Sequence, residues 1–154
     1  MGELSHDPRV LFHASIERNQ ASWNSIERKD YVLAMYLAGL SVECILQAIV
    51  LKNGGVRDAK HSLKLWVAKC PISLQDAIKR DARSEWSMMV AMWDNTFRYF
   101  SEQAMLGYLR AKGYHRNISG GSTAVLKKNG KELVAASEVV QKKGLAQWVS
   151  YAKK

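Results

Sequence analysis

Proline and glycine are scarce in this sequence, with two Pro and ten Gly among 154 residues. Both residues interrupt helices, and folds built from many short strands use them at each turn. Their scarcity, together with long apolar stretches, favours a mostly α-helical chain. The length fits one domain, residues 1–154, with a single hydrophobic core.

Cysteine is also scarce, since only Cys44 and Cys70 occur and both have apolar neighbours. Two cysteines are too few for a disulfide framework, and buried free cysteine behaves as a small apolar residue. The first seven residues are polar and do not resemble a secretory signal. We therefore expect a reducing, cytoplasmic environment. No histidine lies in a cluster of Cys or carboxylates, so we predict no metal site and no cofactor.

Acidic residues are few relative to basic ones, 14 Asp and Glu against 23 Lys and Arg, which gives a net charge of +9. The imbalance is concentrated near the C-terminus, where residues 110–154 contain only Glu132 and Glu138 as acids. Such a surplus attracts nucleic acid or another polyanion, although it also serves solubility. We treat the part from about residue 116 onward as a basic C-terminal extension of the domain.

Helical patterns and end signals predict successive helices along most of the chain. Asp7 and Pro8 can start a first helix that ends near Arg28, and Asp30 can cap a second over residues 31–52. The second is apolar nearly all round and long enough to span a bilayer. A charged Glu43 near its centre is costly in lipid, so a helix buried by its neighbours is favoured. Further helices are predicted over 61–69, from Ser73 through the tryptophan-rich stretch to Trp93, and from Ser101 to about Gly113.

Residues 123–135 have a different pattern, in which Asn129-Gly130 separates two short apolar runs. Asn-Gly between such runs is a strong hairpin signal, so we predict a small β-hairpin here, with a helix as the less favoured alternative. Ser137 is then expected to cap a last helix over about 138–151, in which Gly144 is a weak point.

Three short segments carry a set of motifs in a fixed order. The first is A-x-x-LAG-x-x-x-E-x-x-L-x-A at residues 34–48, the second lies at 61–66, and the third is W-x-x-x-x-RY at 93–99. In this order they resemble the HEPN (higher eukaryote and prokaryote nucleotide-binding) family, over about residues 10 to 112. The matching residues are Ala34, Leu37, Ala38, Gly39, Glu43, Leu46, Ala48, His61, Leu63, Leu65, Trp66, Trp93, Arg98 and Tyr99. The resemblance implies an up-and-down helical bundle that usually forms a homodimer.

Many HEPN proteins are metal-independent endoribonucleases with the motif R-x(4–6)-H, and Arg110 and His115 have that spacing. A histidine can move protons near neutral pH, and an arginine can stabilise a charged phosphate. On one continuous helix the two side chains point about 140° apart, at about 100° per residue, so they need a break at Gly113 or a partner subunit to meet. A helix-end His and a solvated Arg are the alternative. If Arg98 instead occupies the family's Arg position, no His follows at 103–105, and the protein does not cleave.

The other candidate residues have structural alternatives as well. Glu43 is expected to be a buried structural carboxylate, or else to orient Arg98 at a ligand site. Trp93 and Tyr99 are expected in the core, or else as a platform for stacked bases, and His61 as a helix cap or core histidine. The basic residues of the C-terminal part form either a solvated face or a track for a phosphate backbone: Lys127, Lys128, Lys131, Lys142 and Lys143.

The resemblance and the charge together lead to two expectations of function. The first is a HEPN protein that binds RNA or a nucleotide, with endoribonuclease activity in a toxin or defence system. The second is a non-catalytic HEPN module that binds or oligomerises with a partner protein, such as an antitoxin or a nucleotidyltransferase. Neither involves a membrane.

Overall fold

The computed structural model describes residues 7–152, and these residues form a mostly α-helical bundle. It contains seven α-helices and one 3₁₀-helix, and no strand occurs within residues 7–152. In chain order they are α1 (Pro8–Glu27), α2 (Tyr31–Lys52), α3 (Leu63–Lys69), α4 (Ile72–Asp81), α5 (Arg83–Met92), the 3₁₀-helix (Asn95–Tyr99), α6 (Glu102–Ala111) and α7 (Gly121–Ala152). The predicted all-α class is confirmed.

The first two helices begin where their capping residues predicted. The Asp7 side chain accepts a hydrogen bond from the Arg9 amide, and Pro8 occupies the first turn, where its missing N–H costs nothing. Asp30 caps α2 by accepting from the Leu33 amide at 3.3 Å. These caps use amides that the helices themselves leave unpaired, so the first two helices start at defined residues.

The second helix is the centre of the bundle. It packs most extensively against α1 on one side and α7 on the other. Every residue from Ser41 to Val50 is buried, which explains why the helix is apolar nearly all round. Its length and composition would also suit a membrane span, but 72% of the most apolar window is buried inside the bundle. Burial on all sides is what a central helix of a bundle requires.

Small polar side chains lie between α1, α2 and α7. The Ser15 hydroxyl donates to the Ser41 carbonyl at 2.6 Å, and Gln141 Nε2 donates to the Ser15 carbonyl at 3.1 Å. All three residues are buried, so these bonds satisfy polar groups that would otherwise be desolvated without partners. The bonds therefore fix the relative position of the three helices.

The predicted hairpin at 123–135 is wrong, because α7 is one continuous helix of 32 residues. Asn129 is buried and its side-chain amide donates to the Val125 carbonyl at 2.9 Å and to the Tyr114 carbonyl at 3.2 Å. A Cβ on Gly130 would lie 3.3 Å from the Tyr31 Cβ. The Asn-Gly pair therefore serves close packing against a neighbouring helix, which overrides its turn preference.

The same helix also corrects the predicted start at Ser137. Ser137 is buried in the middle of α7 and caps nothing. Gly144 is not a weak point, since a Cβ there would lie 2.8 Å from Ile45 Cγ1. Both small residues allow α7 to approach its neighbours closely.

The stretch predicted as one helix from Ser73 to Trp93 is divided into α4 and α5. The break lies at Ala82, whose φ of −141° and ψ of 29° are not helical. The helix α4 begins at Ile72, directly after Pro71, so Ser73 is not its cap. This division turns α5 onto α7, against which it packs.

A close contact between Gly39 and Trp93 places the following 3₁₀-helix against α2. A Cβ on Gly39 would lie 2.1 Å from the Trp93 ring, so only glycine leaves room for the indole. Trp93 Nε1 also donates to the Tyr36 carbonyl at 3.2 Å. Two of the three motif segments, residues 34–48 and 93–99, thus meet at this contact.

Candidate functional site

The connection between α6 and α7 contains a tight turn followed by exposed loop residues. Ser101 caps the start of α6 by accepting from the Ala104 amide at 3.1 Å. At the other end, Gly113 has a φ of 82°, and the Tyr114 amide returns to the Leu109 carbonyl at 2.9 Å. A left-handed glycine with such a bond is a common helix stop, so α6 ends as predicted.

Arg110 lies in the last turn of α6 and is exposed. Its Nη2 donates to the Ser122 hydroxyl at 3.1 Å, in the first turn of α7. This bond brings the end of one helix to the beginning of the next. Arg110 is therefore close to the start of α7, which carries the predicted lysines.

His115 lies in the turn after α6 and is half-buried. Its Nδ1 is buried and has no hydrogen-bond partner. Within residues 7–152, no hydrogen bond joins the side chains of His115 and Arg110. The structure thus places both residues at one connection but does not join their side chains in one chain.

Lys127, Lys128 and Lys131 are all exposed on α7. Lys127 and Lys131 are four residues apart and share a helix face, while Lys128 is rotated by about 100°. None of the three belongs to an ion pair formed within the described part of the chain. By contrast, Lys143 Nζ lies 3.1 Å from Asp81 Oδ2, and Lys142 Nζ lies 3.4 Å from Glu138 Oε1.

We define the basic segment as residues 110–131, which connect α6 to the first part of α7. It contains no Asp or Glu, and all of its Lys and Arg residues are exposed: Arg110, Lys112, Arg116, Lys127, Lys128 and Lys131. Along α7 the rise is about 1.5 Å per residue, so Lys127 and Lys131 lie within about 15 Å of Ser122. These charges are close enough to act together on a polyanion.

Arg98 and Tyr99 are exposed on the 3₁₀-helix. The Arg98 guanidinium lies 4.6 Å from the centre of the Tyr99 ring, and the tyrosine is 74% exposed. The expectation of a core Tyr99 is therefore wrong, whereas Trp93 is buried as expected. Five residues of 3₁₀-helix cannot turn every side chain inward, and Phe97 takes the core position instead.

Glu43 is 1% exposed and does not hydrogen-bond to Arg98. Its Oε1 accepts from Gln47 Nε2 at 3.0 Å and lies 2.8 Å from His61 Nδ1. Burial raises the pKa of the Glu43 carboxyl above its ordinary value, while the hydrogen bonds from His61 and Gln47 act in the opposite direction. The interpretation of Glu43 as a residue that orients Arg98 therefore finds no support in the structure.

The sequence did not predict that Gln47 and His61 pair with Glu43. Gln47 follows Glu43 by four residues on the same helix face, which is a recognisable spacing. His61 was expected to be a cap or a core residue, but its side chain is 51% exposed and reaches Glu43 from the loop before α3. That long-range pairing leaves no local signal in the sequence.

The two cysteines are free, buried and poorly reactive. Burial raises the pKa of the Cys44 thiol to about 11 and that of Cys70 to about 12, so neither forms a thiolate near neutral pH. Within residues 7–152, no three His, Cys, Asp or Glu side chains are placed to hold a metal ion.

Comparison with known proteins gives no match: no family model fits the chain, and no curated protein or solved structure is significantly similar to it.

Proposed function

We propose that this chain is a HEPN-type protein that binds single-stranded RNA through the basic segment. The observation that carries the proposal is the run of exposed cations from Arg110 to Lys131 without a single acidic residue. Arg110 and Ser122 join the two helices on which these cations lie. RNA supplies a phosphate at each nucleotide, and binding gains free energy as condensed counterions are released.

Lys127, Lys128 and Lys131 form no ion pair with any residue that the structure describes, which supports a role in binding rather than in folding. Lys142 and Lys143, farther along the same helix, have carboxylate partners in the bundle. Lysines 127, 128 and 131 keep their charge available for an external anion. In this proposal the protein is cytoplasmic, and a homodimer would bring two basic segments to one RNA.

Metal-independent cleavage of the bound RNA is a second candidate function, and one observation favours it. Nδ1 of His115 has no hydrogen-bond partner, so the imidazole is not committed to a structural bond. His115 would then accept the proton of the 2′-hydroxyl as its oxygen attacks the phosphorus, and Arg110 would stabilise the charged phosphate. The P–O5′ bond breaks, a 2′,3′-cyclic phosphate forms, and the leaving 5′-oxygen takes up a proton from the imidazolium or from water. Because no hydrogen bond joins the two side chains in the part of the chain that the structure describes, the Arg110 of a second copy would complete this pair.

The test is an RNA titration followed by fluorescence anisotropy at several salt concentrations. Replacing Lys127, Lys128 and Lys131 together by Ala should weaken binding of a single-stranded RNA about a hundredfold at 0.1 M salt. The slope of log K against log salt should fall by about 2, at about 0.7 for each lost phosphate contact. The same mixtures, incubated in EDTA and analysed on a sequencing gel, report cleavage, which His115→Ala should abolish without weakening binding.

The matched control is the triple variant Lys64→Ala, Lys79→Ala and Lys142→Ala, which removes the same charge outside the basic segment. It should bind RNA almost as tightly as the unmodified protein. Equal loss in both triple variants would show only an effect of net charge and would refute the site. Binding to a protein partner that is insensitive to salt, with no RNA binding, would favour the non-catalytic partner-binding module.

A further inference from the structure

The buried carboxylate of Glu43 holds an exposed histidine in a fixed orientation. Glu43 is 1% exposed, whereas the side chain of His61 is 51% exposed. Glu43 Oε1 lies 2.8 Å from His61 Nδ1, and Gln47 Nε2 donates to the same oxygen at 3.0 Å, which limits the rotation of the carboxylate. The imidazole is thus anchored from inside the bundle while it stands at the surface.

The bond to Glu43 also determines which nitrogen of the ring is reactive. An ionised carboxylate only accepts hydrogen bonds, so the proton of the neutral imidazole lies on Nδ1. The other nitrogen, Nε2, then carries a lone pair and lies at the edge of the ring that faces away from Glu43. Because about half of the His61 side chain is exposed, small molecules can reach the ring at this outer edge. The pair therefore presents a nucleophilic nitrogen to solvent.

Two cavities adjoin the ring and give a reactant room. The first has a volume of about 270 Å³ and includes His61, Lys64 and Trp93 in its lining. The second has a volume of about 400 Å³ and includes His61, Lys60 and Trp66. Lys60 and Lys64 are exposed, and neither forms an ion pair with a residue that the structure describes. One lysine on each side of the histidine attracts an anionic reactant.

The backbone directly before His61 is held in an uncommon conformation. Lys60 has a φ of 52°, in the left-handed region that residues other than glycine seldom adopt. Its carbonyl accepts from Trp66 Nε1 at 2.9 Å, which holds the chain in this shape. Such conformations cost free energy and occur often at functional sites. The fold therefore fixes the positions of the lysine backbone and of the histidine together.

We propose that His61 is a nucleophile that accepts a phosphoryl group, activated by Glu43, from an anionic donor that Lys60 and Lys64 attract. The donor is a phosphoramidate or an acyl phosphate. Nε2 gives its lone pair to phosphorus, and the bond from phosphorus to the leaving group breaks with its electron pair on the leaving group. A departing amine takes up a proton from water, whereas a departing carboxylate needs none.

The carboxylate assists this step because the ring becomes a cation. Its proton stays on Nδ1, and the negative charge of Glu43 stabilises the positive charge that develops on the imidazole. The two lysines offset the charge of the phosphoryl group that the ring then carries. The site is independent of the proposed RNA-binding segment, since none of its residues lies between 110 and 131.

The experiment is incubation of the whole protein with potassium phosphoramidate, followed by ³¹P NMR and by peptide mapping at alkaline pH. We expect one phosphoryl group on Nε2 of His61. His13 is the internal reference, because it is exposed as well but no carboxylate within residues 7–152 bonds to its ring. His13 should react about tenfold more slowly, the effect of one missing hydrogen bond to a charged group. Equal rates at the two histidines, or reaction of His61 at Nδ1, would overturn the proposal.

Three variants assign the roles. Glu43→Gln should slow the reaction at His61 about tenfold, while the rate at His13 in the same sample and the RNA affinity stay unchanged. Lys60→Asn, which tolerates the positive φ, should slow it about threefold, whereas the matched Lys79→Asn should not. Circular dichroism checks that each variant is folded. If Glu43→Gln does not fold, the nitrogen modified in the unaltered protein and its rate relative to His13 still decide. An unchanged rate at His61 in folded Glu43→Gln would reduce the pair to a structural contact and refute the proposal.

Discussion

The helical glycines of this protein fall into two groups that differ in what surrounds them. Gly39 of α2 and Gly144 of α7 lie in the core, where a Cβ would approach the Trp93 ring and Ile45 at 2.1 and 2.8 Å. Gly107, in the middle of α6, has nothing within 4 Å of the position of a Cβ. All three cost helix stability compared with alanine, but only the first two gain close packing in return.

The difference shows where the architecture depends on small side chains. The central helix α2 contacts Trp93 and α7 closely because Gly39 and Gly144, together with Gly130, leave space for larger neighbours. The exposed helix α6, which leads into the basic segment, has no such requirement. Alanine should therefore destabilise the protein at Gly39 and Gly144 and stabilise it at Gly107. The loss of stability should be larger where the new Cβ lies closer to its neighbour.

Replacing Gly39 by Ala should have the largest effect. The added methyl group would overlap the indole of Trp93, which is itself held by its hydrogen bond to the Tyr36 carbonyl. We expect the free energy of unfolding to fall by about 3 kcal/mol, the upper part of the range for overpacked cores. Urea denaturation followed by circular dichroism measures this change.

A double-mutant cycle with Trp93→Leu tests the cause of that loss. If the clash with the indole is responsible, Gly39→Ala should cost far less in the Trp93→Leu background, because the smaller side chain leaves room. Additive losses would show that Gly39 is needed for another reason, such as its own backbone conformation.

Much of the fold could be predicted from the sequence because the signals were local. Asp7, Asp30 and Ser101 cap their helices as expected, and the apolar character of residues 31–52 indicated the buried central helix. The hairpin could not be excluded in this way. Asn129-Gly130 prefers a turn in isolation, and the helix is favoured by tertiary contacts: Gly130 packs on Tyr31, about a hundred residues away in sequence, and Asn129 donates to the Tyr114 carbonyl.

The candidate sites show the same limit. Exposure of Lys127, Lys128 and Lys131 follows from helical spacing once α7 is known, and the basic composition was visible from the beginning. The pairing of Glu43 with His61, and the unpaired Oε1 of Gln47 beside it, depend on how a loop closes over α2. Such contacts between distant residues have no periodic pattern that a single sequence can display.

Replacing Gly144 by Ala should have a smaller effect of the same sign. The new Cβ would lie 2.8 Å from Ile45 Cγ1 and 3.0 Å from Cγ2, and Ile45 is completely buried. Overpacking of about 2 kcal/mol is partly offset by about 1 kcal/mol of improved helix propensity, so we expect a net loss of about 1 kcal/mol. Ile45→Val should reduce this loss in a combined variant, measured by the same denaturation.

The smallest effect, and the only gain, is expected for Gly107→Ala. Open space surrounds the added methyl group, so the substitution introduces no clash. Alanine lowers the conformational entropy of the unfolded chain, which stabilises the folded state. The free energy of unfolding should rise by about 0.8 kcal/mol, the difference in helix propensity between the two residues. RNA affinity should stay within about twofold, since Gly107 lies one turn before Arg110 and carries no charge. A loss of stability would show that α6 is covered by another surface, such as a second copy of the chain, and would remove the distinction between the two groups of glycines.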